Sequence, residues 1–154
     1  MGSPDPTPHT SLRAAILAEA KTWLGTPYHG NADVKGAGVD CGMFPLRVYS
    51  ACGLIDPGFD PRPYPMQWSF HQIREKYLEL VLSFGYEVLR PLAGDLVVFK
   101  IGKSYGHGAI VVEWPRIIHA NPPGVCRYDD AEHNSSLMRL TNLAPPRFFS
   151  IWKD

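Results

Sequence analysis

The sequence lacks several features that would have assigned its class at once. It has only three cysteines, Cys41, Cys52 and Cys126, an odd number with no CxxC pair among them. This argues against a disulfide framework or a zinc ribbon. Were Cys41 and Cys52 on one helix, they would stand about 16 Å apart along its axis, too far to be bridged. Basic and acidic residues balance at 15 each, so there is no cationic excess to hold a phosphate backbone, and no nucleic-acid partner is expected. No apolar run approaches the ~20 residues of a membrane span, and the N-terminus lacks the charged and apolar regions of a signal peptide. Synthesis in the cytosol with no membrane partner is the expectation.

What is present suffices for one domain. A chain of 154 residues with 45% hydrophobic content can bury about 70% of its unfolded surface without staples. Residues 1–9, with Pro4, Pro6 and Pro8 and no apolar pattern, read as a flexible arm, and residues 10–154 as a single domain. Thr10 or Ser11 can cap a helix in which Leu12, Ile16, Ala20 and Trp23 recur at three- and four-residue steps until Gly25 and Pro27 stop it. Residues 26–39 read as a glycine-rich loop. A second helix is expected from Cys41 to about Cys52, closing at Gly53. Pro45 resists this, having no N–H and a ring that crowds the carbonyl four residues back, so the helix is either distorted there or begins after Cys41. Beyond the proline-rich loop 56–65, Ser69 and Gln72 form a capping-box pattern. Phe70, Ile73, Tyr77, Leu80, Val81 and Phe84 follow at helical spacing before Gly85.

After Gly85 the period changes. Residues 96–101, 108–113, 116–120, 124–128 and 147–152 are short β-rich runs parted by Gly, Pro and Asp. Helices first and strands afterwards indicate an α+β fold, with N-terminal helices packed on a C-terminal antiparallel sheet of about five or six strands. Asn134-Ser135-Ser136 matches a glycosylation acceptor, which in the absence of a secretion signal reads as chance.

Cys41 is the chemically loaded residue. It follows a glycine-rich run and an acidic residue and precedes a helical pattern, where free backbone N–H groups and the helix dipole favour a thiolate. A cysteine nucleophile needs a base near neutrality, and histidine supplies one. Of six histidines, His107 opens the strand GHGAIVVEW and His119 ends the next, RIIHA. They can cooperate only if they share a face of the sheet. A regular two-residue turn at Trp114 and Pro115 would set them on opposite faces, whereas an odd-length turn or an equivalent bulge sets Ala109 opposite His119 and brings them together.

These residues resemble a known family. LGTPY before a glycine-rich loop, VDCGMF, PLAGDLVVF, SYGHGAIVV and RIIHANPPGV are similar to the NlpC family of papain-like cysteine peptidases that cut bacterial cell-wall peptides, over most of residues 23–125. TPYHGNADVKGAGVDC and the proline-rich insert look most similar to the phage and prophage tail-associated branch. The resemblance implies a papain-like fold, with Cys41 as nucleophile, His107 as base, His119 as the residue orienting it and Tyr28 on the oxyanion side. His29, Asp40, Gly42 and Gly106 are the expected substrate-binding neighbours, with no metal and no cofactor. It further implies a peptidoglycan stem peptide as substrate, cut between D-glutamate and a diamino acid, and tail-tip proteins as partners. Three features depart from the family wording. His29-Gly30-Asn31 stands where a tryptophan and two glycines are usual, Gly42 where serine is usual, and Pro45 where proline is not. They keep a second reading open, a catalytically inactive tail or wall-binding component of the same fold. A third is a zinc-dependent hydrolase, since one thiolate and two imidazoles form a known zinc set.

Overall fold

A computed structural model describes residues 10–64 and 75–152. The proline-bearing arm and the Ser69–Gln72 capping pattern lie outside them. Helix α1 spans Thr10–Lys21, and the expected stripe is the buried one, with Ile16 and Ala20 fully covered and Trp23, in the following turn, 4% exposed. Gly25 ends the run at φ 88°, a backbone that glycine adopts without a Cβ penalty. The loop that follows is not irregular throughout. Asp33–Val34 (β1) and Gly38–Val39 (β2) form a two-stranded antiparallel hairpin.

Helix α2 covers Met43–Ala51, with Gly42 at its N-cap. Pro45 therefore falls in the first turn, where a helical N–H has no partner to lose, and the helix starts after Cys41 instead of kinking. It closes at Gly53, which has φ 77°. There the Gly53 N–H donates to the Ser50 carbonyl at 3.1 Å and the Leu54 N–H to that of Tyr49 at 3.0 Å, the paired bonds of a Schellman motif. Helix α3, Lys76–Phe84, buries Leu78 and Val81 and ends at Gly85, where a side chain would collide with the Ser150 carbonyl.

The remaining strands are β3 (Tyr86–Val88), β4 (Leu96–Ile101), β5 (Ser104–Glu113), β6 (Arg116–Ala120), β7 (Cys126–Asp130) and β8 (Arg147–Ser150). They form one six-stranded antiparallel sheet in the order β3-β8-β4-β5-β6-β7. The expected meander holds from β4 to β7, while β8 inserts between β3 and β4. Alternation along β4 sends Leu96 and Val98 to one core with α1, α2 and α3, and Val97 and Phe99 to a second core on the other face. The α+β expectation thus holds, with helices on both faces.

The second face is covered by helix α4, Ser135–Leu143, which the sequence reading missed. Asn134 caps it, its side-chain oxygen accepting the N–H groups of Ser136 and Leu137. The glycosylation-like tripeptide is therefore a helix start, with its asparagine oxygen in use. On the first face, a buried ion pair joins α1 to the sheet. Arg13 donates to Asp95 at 2.8 Å, and the Ser150 hydroxyl and the Leu92 N–H also donate to that carboxylate, at 2.7 and 2.8 Å.

Candidate active site

Cys41 sits just before α2, with its sulfur against β5, 3.9 Å from the Gly106 carbonyl. The turn that presents it is held by Asp40. One carboxylate oxygen accepts the N–H groups of Gly42 and Met43 at 3.0 and 2.8 Å and the other accepts the Asn31 N–H at 2.7 Å. The Tyr64 hydroxyl donates to both, at 2.7 and 2.6 Å. Asp40, one residue before Cys41, thus supplies the side-chain cap of α2 that Gly42 cannot. Tyr28 lines the same cavity as Cys41, and burial, with Cys41 and Asp40 beside it, holds its phenol well above its ordinary value.

The histidines share a face. Glu113 pairs with Arg116 across Trp114 and Pro115, but Val111 pairs with Ile117 and Ile110 with Ile118, so Val112 is an extra residue without a partner on β6. This is the bulge that the catalytic reading required, and it puts Ala109 opposite His119. A second irregularity lies on the other edge of β5, where Phe99 pairs with His107 and Lys100 with Tyr105, leaving Gly106 unpaired. Bulges re-aim side chains at such places. His107 Nε2 and His119 Nδ1 stand 2.8 Å apart, and His119 Nε2 lies 2.9 Å from Asp129 Oδ2.

No protein-family model and no curated protein matches the sequence. Solved structures match in shape. The NlpC/p60 domain of the peptidoglycan hydrolase SagA superposes with a TM-score of 0.53 at 22% identity, covering 89% of this chain and 96% of that one. A protein similar to a lipoprotein of the NLP/P60 family from Staphylococcus aureus gives 0.63 at 21% identity, over 98% of this chain but only 46% of its own length. RipD from Mycobacterium tuberculosis, described as a non-catalytic NlpC/p60 domain protein adapted to peptidoglycan binding, gives 0.52 at 13% identity, with 80% of this chain and 90% of that one covered. The fold is that of NlpC/p60 domains.

Within that NlpC/p60 fold, Tyr28, Cys41, Gly42, Gly106 and His107 line one cavity of about 600 Å³, walled chiefly by apolar side chains of α2 and α3. His119 lies behind His107 with no exposure. Two of the expected substrate-binding residues, His29 and Asp40, are not among those lining the cavity. His29 is exposed and lies over Gly38, where any side chain would strike its Cβ. Its N–H donates to the Val39 carbonyl at 3.0 Å. Asp40 is fully buried and its oxygens accept hydrogen bonds from the chain, so here it supports the turn that presents Cys41. The zinc set does not form either. The two imidazoles bond to each other instead of converging, and among the described residues no three His, Cys, Asp or Glu side chains are grouped to hold a metal ion.

The electrostatics also differ from the expected thiolate. Burial, reinforced by the Asp40 carboxylate, pushes the Cys41 thiol up to about 12, against the hydrogen bonds from Tyr28 and from the N–H groups of Cys41 and Gly108. Burial, with His119 and Arg127 adding to it and Asp129 opposing, pushes His107 down to about 3. His119 is lowered too, again chiefly by burial. Near neutral pH both of these cavity-lining groups therefore rest uncharged, Cys41 as a thiol and His107 as an imidazole. Burial works against ionised Asp129 as well, but hydrogen bonds from His119, the Asp130 N–H and Asn134 outweigh it and hold the carboxyl below its ordinary value. Sequence reasoning missed Asp129, Tyr64 and Tyr77. The ring of Tyr77 fills the space over Gly108 that a side chain there would need.

Proposed function

We propose that this chain is a cysteine peptidase that hydrolyses peptide bonds in peptidoglycan stem peptides. The observation that carries the reading is the 2.8 Å contact between His107 and His119 behind a cavity that both Cys41 and His107 line. With Nε2 committed to His119, Nδ1 is the nitrogen of His107 left to meet the thiol. As the Cys41 sulfur attacks the substrate carbonyl, its proton passes to His107 Nδ1, and the imidazolium then gives that proton to the departing amine. The carbonyl oxygen becomes an oxyanion stabilised by the Cys41 N–H and the Tyr28 hydroxyl, at about 2.7–4 kcal/mol per donor on the scale of comparable sites. His107 next takes a proton from water, which attacks the acyl-enzyme, and the released thiol recovers it.

The finer assignments rest on the sequence resemblance. The scissile bond joins D-glutamate to a diamino acid, and the protein is made in the bacterial cytoplasm and carried on a phage or prophage tail, with tail-tip proteins as its partners. The test is a digest of purified peptidoglycan and of a defined stem peptide, followed by mass spectrometry, beside Cys41→Ala. New termini at the D-glutamyl bond, absent with the variant, are the expected result. Binding without cleavage by folded wild-type protein would replace this reading with that of a non-catalytic wall-binding component.

A further inference from the structure

Asp129 stands at the end of the histidine row, and nothing in the mechanism above uses it. Among the described residues, the groups that hydrogen-bond or pair with it are donors. Asn134 Nδ2 donates to Oδ2 at 2.8 Å and the Asp130 N–H to Oδ1 at 2.9 Å, while Arg127 Nε stands 3.6 Å from Oδ2. Asn134 has a determined orientation, because its oxygen accepts the Ser136 and Leu137 N–H groups at 3.0 and 3.1 Å, which turns its amide hydrogens toward Asp129. A carboxylate in this setting can only accept a hydrogen bond from His119.

A neutral imidazole carries one N–H, so each choice determines the next. His119 must hold its hydrogen on Nε2 to donate to Asp129, which leaves Nδ1 bare. That nitrogen can only accept, so His107 must hold its hydrogen on Nε2. His107 Nδ1 is then bare, as a proton acceptor for a thiol has to be. We propose that Asp129 is a positioning residue that fixes His119 and His107 as Nε2–H tautomers and so keeps His107 Nδ1 open toward Cys41. The inference rests on the peptidase reading of the site. It involves no bond exchange, only an order of hydrogens along three side chains, with Asn134 tying that order to the first turn of α4.

The test is nitrogen-15 NMR of the histidine rings in the full chain near pH 7, assigned with His107→Gln and His119→Gln. Wild-type protein should show both rings as Nε2–H tautomers, and an Nδ1–H form at either would overturn the proposal whether or not any variant folds. In Asp129→Ala an Nδ1–H population should appear at both rings. With it, kcat on a stem peptide should fall by roughly 10²-fold or more, toward the ~10⁴-fold that a wrong tautomer costs in a serine protease triad, with KM little changed. Unchanged tautomers and kcat in a folded Asp129→Ala would refute the role. The ring spectra require no turnover, so a wild-type chain that cleaves nothing would end the peptidase reading while leaving the tautomer result to be read separately.

Discussion

Acid should destabilise this protein well before its carboxylates titrate, and His107 is the main reason. Its ordinary value is 6.5, and in the fold it is pushed down to about 3. Between those limits the unfolded chain binds a proton that the folded chain refuses, so the contribution of His107 is intact above pH 6.5 and drains away as the pH falls toward 3. The slope is about 1.4 kcal/mol per pH unit, so lowering the pH from 6.5 to 4.5 should cost about 2–3 kcal/mol from this residue alone. His119 is lowered as well and steepens the fall. The exposed His133, raised by Asp130, acts in the opposite sense but equally in any variant compared. Urea unfolding of wild type and His107→Gln at several pH values from 7 to 4.5 isolates the term. The absolute stability of the variant is immaterial, since only its flatter dependence on pH is expected. Parallel curves over the whole range would mean that His107 is not buried in neutral form, and the reasoning would fail.

Three further outcomes are expected. His119→Asn should keep much more activity than His119→Ala, because an amide can accept from His107 with its oxygen and donate to Asp129 with its nitrogen, whereas His107→Asn should keep almost none; steady-state kinetics on a stem peptide decide this. Tyr28→Phe should lower kcat by roughly 10²- to 10³-fold with the fold intact, the scale of losing one oxyanion donor, and an unchanged kcat would remove Tyr28 from the mechanism. Arg13→Met should cost about 3–5 kcal/mol by denaturant unfolding, since it strands the Asp95 charge, and adding Asp95→Asn should recover part of that loss.

How much of this was legible in the sequence depended on how local the determining physics was. Helix α1 and the close of α2 at Gly53 followed from spacing and from one glycine with positive φ. The spacing of His107 and His119 was also plain, but their common face hinged on the unpaired Val112, and the turn residues alone do not specify a bulge. Asp129 was missed because the strand was expected over 124–128 whereas β7 runs over Cys126–Asp130. Helix α4 was missed because its sequence is mostly polar, with Leu137 the only fully buried side chain and Leu140 partly buried beside it. The role of Asp40 in holding the Cys41 turn was not visible because its partners Asn31 and Tyr64 lie 9 and 24 residues away. The thiolate expected at Cys41 weighed the helix end but not the burial or the carboxylate next to it.

The bulge in β5 also governs how chains of this kind can vary in length. Because the histidines lie 12 positions apart, an even interval, their meeting depends on an irregular hairpin. An odd interval would demand a regular one. Val112 takes no partner on β6, so deleting it joins Val111 directly to Glu113, shortens the interval by one and leaves Val111 opposite Ile117 and Glu113 opposite Arg116. Loss of a paired neighbour with the bulge retained would turn one imidazole to the wrong side. Gains and losses of single residues in this hairpin are therefore tolerable only when the bulge disappears or forms with them, and relatives should differ there by two residues or by one residue and a bulge.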